Sequence, residues 1–331
     1  MMAPMILRSH LYRLIFFIAG LCLSSSVVAA TPEQPTKLKP QSSQKTISVV
    51  ASIRPLHSLL SQLMQGVAEP VLLLDQNQSA HHFSLRPSQR NTLSHADIIF
   101  WIGEPLESFM PRVMKALPRQ VKTVALIANK KLHLLQPRSA DAHHQHGHGQ
   151  TSIDPHIWLS VDNALAMAGQ MLQVLSQSDP EHTANYQENF RQLKSKLHQL
   201  KQQLATSLSS KNFNYLVYHD AFQYFEAELK IAPLAAISND EEHAPGMRHL
   251  VFINQLINKK SISCIIFNTS QPPAVARKLT KAGSIQQLFV QPLGQSFKAG
   301  PELYFELMSS LAKAYQQCSQ LQSPETKPRM K

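Results

Sequence analysis

After its first thirty residues the chain has no apolar run long enough to cross a bilayer, which excludes a helical membrane span over the rest of its length. It has no P-loop, no Gly-x-Ser-x-Gly elbow and no His-Glu-x-x-His pair. These absences exclude P-loop nucleotide hydrolysis, serine-hydrolase chemistry of the usual build and the metalloprotease helix. No other residue pattern supplies a catalytic nucleophile, so the chain reads as a non-enzyme. Cysteine is scarce, with three in 331 residues. Cys22 lies in the leading apolar stretch, which leaves Cys264 and Cys318 as an even pair. In an exported chain such a pair suggests a disulfide; two buried free thiols are the alternative. Lys and Arg outnumber Asp and Glu by 32 to 21, but no basic patch interleaves with aromatics. Nucleic acid is therefore not an expected partner.

The start of the chain reads as a secretory signal over residues 1–30. Arg8 and Arg13 precede the apolar Leu14–Leu23, and Val28-Ala29-Ala30 supplies small residues for cleavage. Leu21 is too large to precede a lipidated Cys22, so the expected product is a soluble, periplasmic monomer. Without the two signal arginines the charge falls from +11 to +9. Residues 31–45, rich in Pro, Gln, Ser, Thr and Lys, read as a flexible leader. The rest divides into a lobe over 46–178, a linking helix over 179–209, a second lobe over 210–320 and a tail over 321–331.

What the sequence does have is histidine, sixteen in all. His143, His144, His146 and His148 crowd into a small polar run over 141–149, with two glycines and no large apolar residue. Imidazole is the commonest ligand for borderline metals, and a His-rich tract is a compositional metal signal; a solvated loop is the bland alternative. His156 follows, between a proline and an apolar pair.

Short apolar strands alternate with helices twice over. Strands are expected at 47–51, 71–74, 97–102 and 121–127, and again at 215–218, 231–237, 262–267 and 285–290. This alternation predicts an α/β chain of two β/α lobes, each with a four-stranded sheet. Between them Asp179-Pro180-Glu181 marks a helix start. Apolar positions from Tyr186 to Leu208 keep helical spacing, predicting one long rigid helix over about 180–208. Ligands of open parallel sheets bind beyond the carboxyl ends of the strands. His81, His156 and His219 fall there and would face one crevice between the lobes. Asp220 is placed either to hold an imidazole N–H from behind or to cap the next helix.

Several segments carry a family resemblance. His81-His82-Phe83-Ser84-Leu85-Arg86-Pro87-Ser88, Asp154-Pro155-His156-Ile157-Trp158-Leu159-Ser160 and Tyr218-His219-Asp220-Ala221-Phe222-Gln223-Tyr224-Phe225 resemble the first three ligand motifs of the cluster A-I solute-binding proteins of metal ABC transporters. Pro292-Leu293-Gly294 is similar to the segment around the fourth, and the His-rich loop is the habit of the zinc-uptake branch. The similarity covers about residues 46–318. It implies two β/α lobes with one metal in the interlobe cleft, delivered to an inner-membrane permease driven by a cytoplasmic ATPase. It also implies His81, His156 and His219 as ligands of a transported Zn2+, and a Cys264–Cys318 disulfide. Two positions depart from the pattern: Ala80 and Gln291 stand where relatives place carboxylates. The fourth position then falls to water, with His82, Glu241, Glu242 and His243 as the other candidates. The competing functions are a zinc store using the His loop, and a zinc hydrolase, for which no general base is evident.

Overall fold

The computed structural model describes residues 46–74, 80–81, 83–138, 153–208, 212–238, 245–269, 274, 279 and 285–321. It contains two four-stranded, all-parallel sheets, one per lobe. In lobe one, β1 (Val49–Ala51) lies between β2 (Val71–Leu72) and β3 (Ile98–Trp101), and β4 (Lys122–Ala125) is beyond β3. Lobe two repeats the order: β5 (Tyr215–His219) between β6 (Ala235–Ser238) and β7 (Cys264–Phe267), with β8 (Gln286–Phe289) outside.

The central strands are continuous runs of β-branched, aromatic and other apolar residues, because helices cover both faces of a parallel sheet. The pleat divides each run between two cores. Val49, Ala51, Ile98 and Phe100 face inward with Tyr215, Val217, Cys264 and Ile266, in one apolar cluster that runs through both lobes. Val50, Ile99 and Trp101 face a small outer core of lobe one. Leu216, Tyr218, Ile265 and Phe267 face that of lobe two.

The helices of lobe one are α1 (Arg54–Leu63), α2 (Pro87–Ser94), α3 (Met110–Met114) and α4 (Val161–Ser178). Then come α5 (Thr183–Ala205), α6 (Gln223–Leu229), α7 (Met247–Lys259) and α8 (Leu303–Gln320). Every residue of α1 is buried, since α4, α5 and α8 all pack against it. The buried side of α5 is Tyr186, Leu193, Leu197, Leu200 and Leu204, at the predicted helical spacing.

The linking helix is shorter than the sequence suggests. Its 23 residues span about 34 Å at 1.5 Å each, and Pro180–His182 form a separate 3-10 turn. Asp179 does not cap with its side chain. Its carboxylate accepts instead from His182 Nδ1 at 2.8 Å and Tyr186 Oη at 2.6 Å. The helix between β3 and β4, α3, is only five residues long. Cys264, at the start of β7, is disulfide-bonded to Cys318 in the last turns of α8, with the Cα atoms 5.6 Å apart. Among the described residues no helix is long and apolar enough to cross a membrane.

Candidate metal centre

His219 is the last residue of β5, so the sheet itself places its ring at the carboxyl edge, 7% exposed. His156 arrives on the connection between β4 and α4 and is 4% exposed. It caps a 3-10 turn over Ile157–Leu159, all buried, and that turn runs into α4. Trp158 anchors the turn across the lobes by donating Nε1–H to the Pro292 carbonyl at 2.8 Å. Ser160 caps α4 by accepting from the Asn163 N–H, and Glu228 of α6 accepts from the Ser160 hydroxyl at 2.7 Å and the Val161 N–H at 2.6 Å. A carboxylate at a helix N-terminus is favourably placed, and this one comes from the other lobe. His81 lies on the connection after β2 and is partly buried; its carbonyl accepts from the Ser108 hydroxyl at 3.4 Å.

The three imidazoles converge. Ring centroids are 5.5 Å apart for His81 and His156, 6.0 Å for His81 and His219, and 5.5 Å for His156 and His219. One nitrogen of each lies within 4.8 Å of the other two. Among the described residues no fourth His, Cys, Asp or Glu joins the cluster. Three converging imidazole nitrogens suit a borderline cation such as zinc.

Asp154, whose role the sequence did not disclose, fixes one of the rings. Its Oδ1 accepts the His156 Nδ1–H at 2.8 Å and the His156 backbone N–H at 3.0 Å. With Nδ1 donating, Nε2 keeps its lone pair toward the other two histidines. The Asp-x-His spacing was the available signal, since a carboxylate two residues back can fold onto the ring that follows. Asp220, expected to hold an imidazole or cap a helix, does otherwise in its described contacts: it takes the Arg138 guanidinium on both oxygens. The following helix, α6, begins after Phe222 without a side-chain cap.

A buried carboxylate braces the carboxyl edge of the lobe-one sheet. Glu107 accepts from the Ser52 hydroxyl at the end of β1, and from the N–H groups of Ile102 at 3.2 Å and Gly103 at 2.9 Å at the end of β3. Burial raises its pKa to about 7 against these stabilising donors.

Two positions expected to depart from the pattern contribute no acid. Ala80 is buried, and Gln291 accepts from the Ser296 hydroxyl at 2.6 Å. Gly294 of the Pro-Leu-Gly segment has φ +68°, a backbone conformation that favours glycine, and a Cβ there would press on the Leu303 side chain at 3.1 Å. His82, Glu241, Glu242, His243 and the loop residues His143, His144, His146 and His148 lie outside the described residues.

Known proteins resemble this chain over most of its length. Residues 49–318 match the family model described as zinc-uptake complex component A, periplasmic. The high-affinity zinc uptake system protein ZnuA of Brucella abortus is 31% identical over 303 residues, covering 82% of this chain and 91% of that protein. The Yersinia pestis protein of the same name is 27% identical over 291 residues, with 82% and 91% covered. The Zn(II)-bound ZnuA-like domain of Streptococcus pneumoniae AdcA has the same fold at 20% identity and TM-score 0.64, covering 82% of this chain and all of that domain. A crystal structure of ZnuA does so at 18% identity and TM-score 0.69, covering 81% and 99%. With the sheets, the cleft and these relatives in agreement, the chain belongs to the ZnuA family, the periplasmic component of zinc-uptake complexes.

Proposed function

We propose that this chain is the zinc-capturing subunit of a periplasmic ABC importer, a solute-binding protein and not an enzyme. The observation that carries this reading is the convergence of three imidazoles, one of them locked by Asp154. In this reading His81, His156 and His219 bind Zn2+, a water takes the fourth position, and the loaded protein passes its ion to the inner-membrane permease driven by its cytoplasmic ATPase. Export through a cleaved 1–30 segment places it in the periplasm as a monomer. The His-rich run over 141–149 adds weaker zinc equivalents that serve capture.

The donor set also selects the metal. Neutral imidazoles favour zinc over the harder manganese, which prefers carboxylate oxygen, and Ala80 and Gln291 supply none. Zinc is expected to bind at least a hundredfold more tightly than manganese, about 2.7 kcal/mol. Affinity falls in acid, because a protonated imidazole has no lone pair to give. Calorimetric titration at neutral pH tests the proposal. One tight zinc equivalent should persist after deletion of 141–149, and competition should leave manganese outside. A tight equivalent that disappears with the loop, or manganese displacing zinc at equal concentration, would overturn it.

A further inference from the structure

Two of the three histidines are held by one short segment that precedes both in the chain. Leu135 pairs with Asp154, whose N–H donates to the Leu135 carbonyl at 2.9 Å. Asp154 in turn orients His156. Three residues on, Arg138 crosses to lobe two. Its Nε donates to Asp220 at 3.0 Å, and its Nη2 donates to Asp220 and, at 2.5 Å, to Glu226. Asp220 directly follows His219. Glu226 is fully buried and fixed within lobe two by the hydroxyls of Tyr215 at 3.0 Å and Tyr315 at 2.6 Å. Tyr215 begins the strand that His219 ends. Tyr224 ties the same segment from the other side: its hydroxyl accepts from the Leu135 N–H at 3.0 Å and donates to the Asp154 carbonyl at 2.9 Å.

We propose that Arg138 is a positioning residue for the metal centre: clamped on Asp220 and Glu226, it fixes the turn that carries His219 relative to the segment that carries Asp154 and His156. A planar guanidinium with its fork on two carboxylates constrains distance and angle together, which an ammonium on a flexible stem does not. Half an ångström of slack between two ligands of a small cation is felt directly in affinity, so the spacing of His156 and His219 is where such a clamp would act. The inference rests on the ligand reading given above.

The test compares Arg138→Met, Arg138→Lys and Tyr224→Phe in the full-length mature protein, using zinc and cobalt(II) as probes. Arg138→Met is expected to weaken zinc about tenfold, mainly through faster dissociation, and to change the visible ligand-field spectrum of the cobalt(II) form. Lysine should restore part of the affinity. Tyr224→Phe keeps the packing and loosens the same segment, so it serves if Arg138→Met does not fold; about threefold weakening is expected. An ion pair that only stabilised the fold would lower the melting temperature and leave the cobalt spectrum unchanged. A folded Arg138→Met protein with wild-type zinc affinity and cobalt spectrum, beside a His219→Ala protein that has lost zinc, overturns the inference alone; with Arg138→Met unfolded, a wild-type Tyr224→Phe does the same. A His219→Ala protein that binds zinc as the wild type does overturns the ligand reading and the inference with it.

Discussion

The two lobes share a sheet order and differ in how they use it. In lobe one the candidate ligands hang from connections: His81 nine residues beyond the end of β2, His156 on the long segment between β4 and α4. In lobe two His219 is part of the strand. The braces differ too. Glu107 closes the carboxyl ends of β1 and β3, whereas the Cys264–Cys318 bond closes the far, amino-terminal end of β7 onto α8. The lesson is that a repeated α/β frame fixes where ligands gather. Which connection delivers them, and what stiffens that connection, is decided locally.

The largest test of this contrast is the disulfide. Opening it by Cys264→Ser is expected to cost about 4 kcal/mol on a loop-entropy estimate for a separation of 54, read as a drop in denaturant midpoint. The loss should fall on stability, with zinc affinity within a fewfold of wild type, since the bond lies at the opposite end of the sheet from the histidines. A tenfold loss of zinc would erase the distinction between the two braces.

Next in size is Glu107. Because its folded pKa is raised from 4.5 to about 7, its contribution to stability is fully present below pH 4.5 and is lost as the pH rises through about 7. The full change is up to about 3 kcal/mol at 1.36 kcal/mol per unit. In Glu107→Gln this dependence disappears, so the variant should gain on the wild type as unfolding is measured from pH 5 to pH 7.5. A constant difference between the two proteins across that range would show that the carboxyl does not titrate there.

The smallest expected effect is the most local. Replacing His81, His156 or His219 with Ala should each weaken zinc at least tenfold, about 1.4 kcal/mol. The deeply buried His156 and His219 should cost more than the partly exposed His81. Equal losses by calorimetry would mean that burial of the ring does not set the ranking.

The central strands were legible because strands buried on both faces are unbroken apolar runs bounded by polar turns. Their spatial order was not, since periodicity carries no pairing information. The three histidines stood apart from sixteen by motif and by their place at strand ends, and the fold brings them together. What the sequence concealed is what joins distant segments. Ser52 and Glu107 meet across 55 positions, and Arg138 reaches Asp220 and Glu226 across 82 and 88. The contact of Asp220 with Arg138 was hidden for the same reason, because that partner lies in the other lobe. Asp179 misled locally, since His182 three residues on and Tyr186 seven residues on compete for the carboxylate that a cap would need.

The apolar cluster that passes from Val49 and Phe100 through Trp158 to Tyr215 and Tyr315 has no seam at the lobe boundary. With the inner faces of both sheets packed into one core, the largest set of apolar contacts belongs to both lobes at once, and the outer core of each is small beside it. The chain is therefore expected to melt in a single cooperative transition, with amide exchange in β1 and β5 slowing together and governed by the same global opening. An ion bound at one edge of that core is then felt everywhere in it. At a free zinc concentration a hundred times its dissociation constant, the whole molecule gains about 2.7 kcal/mol against unfolding.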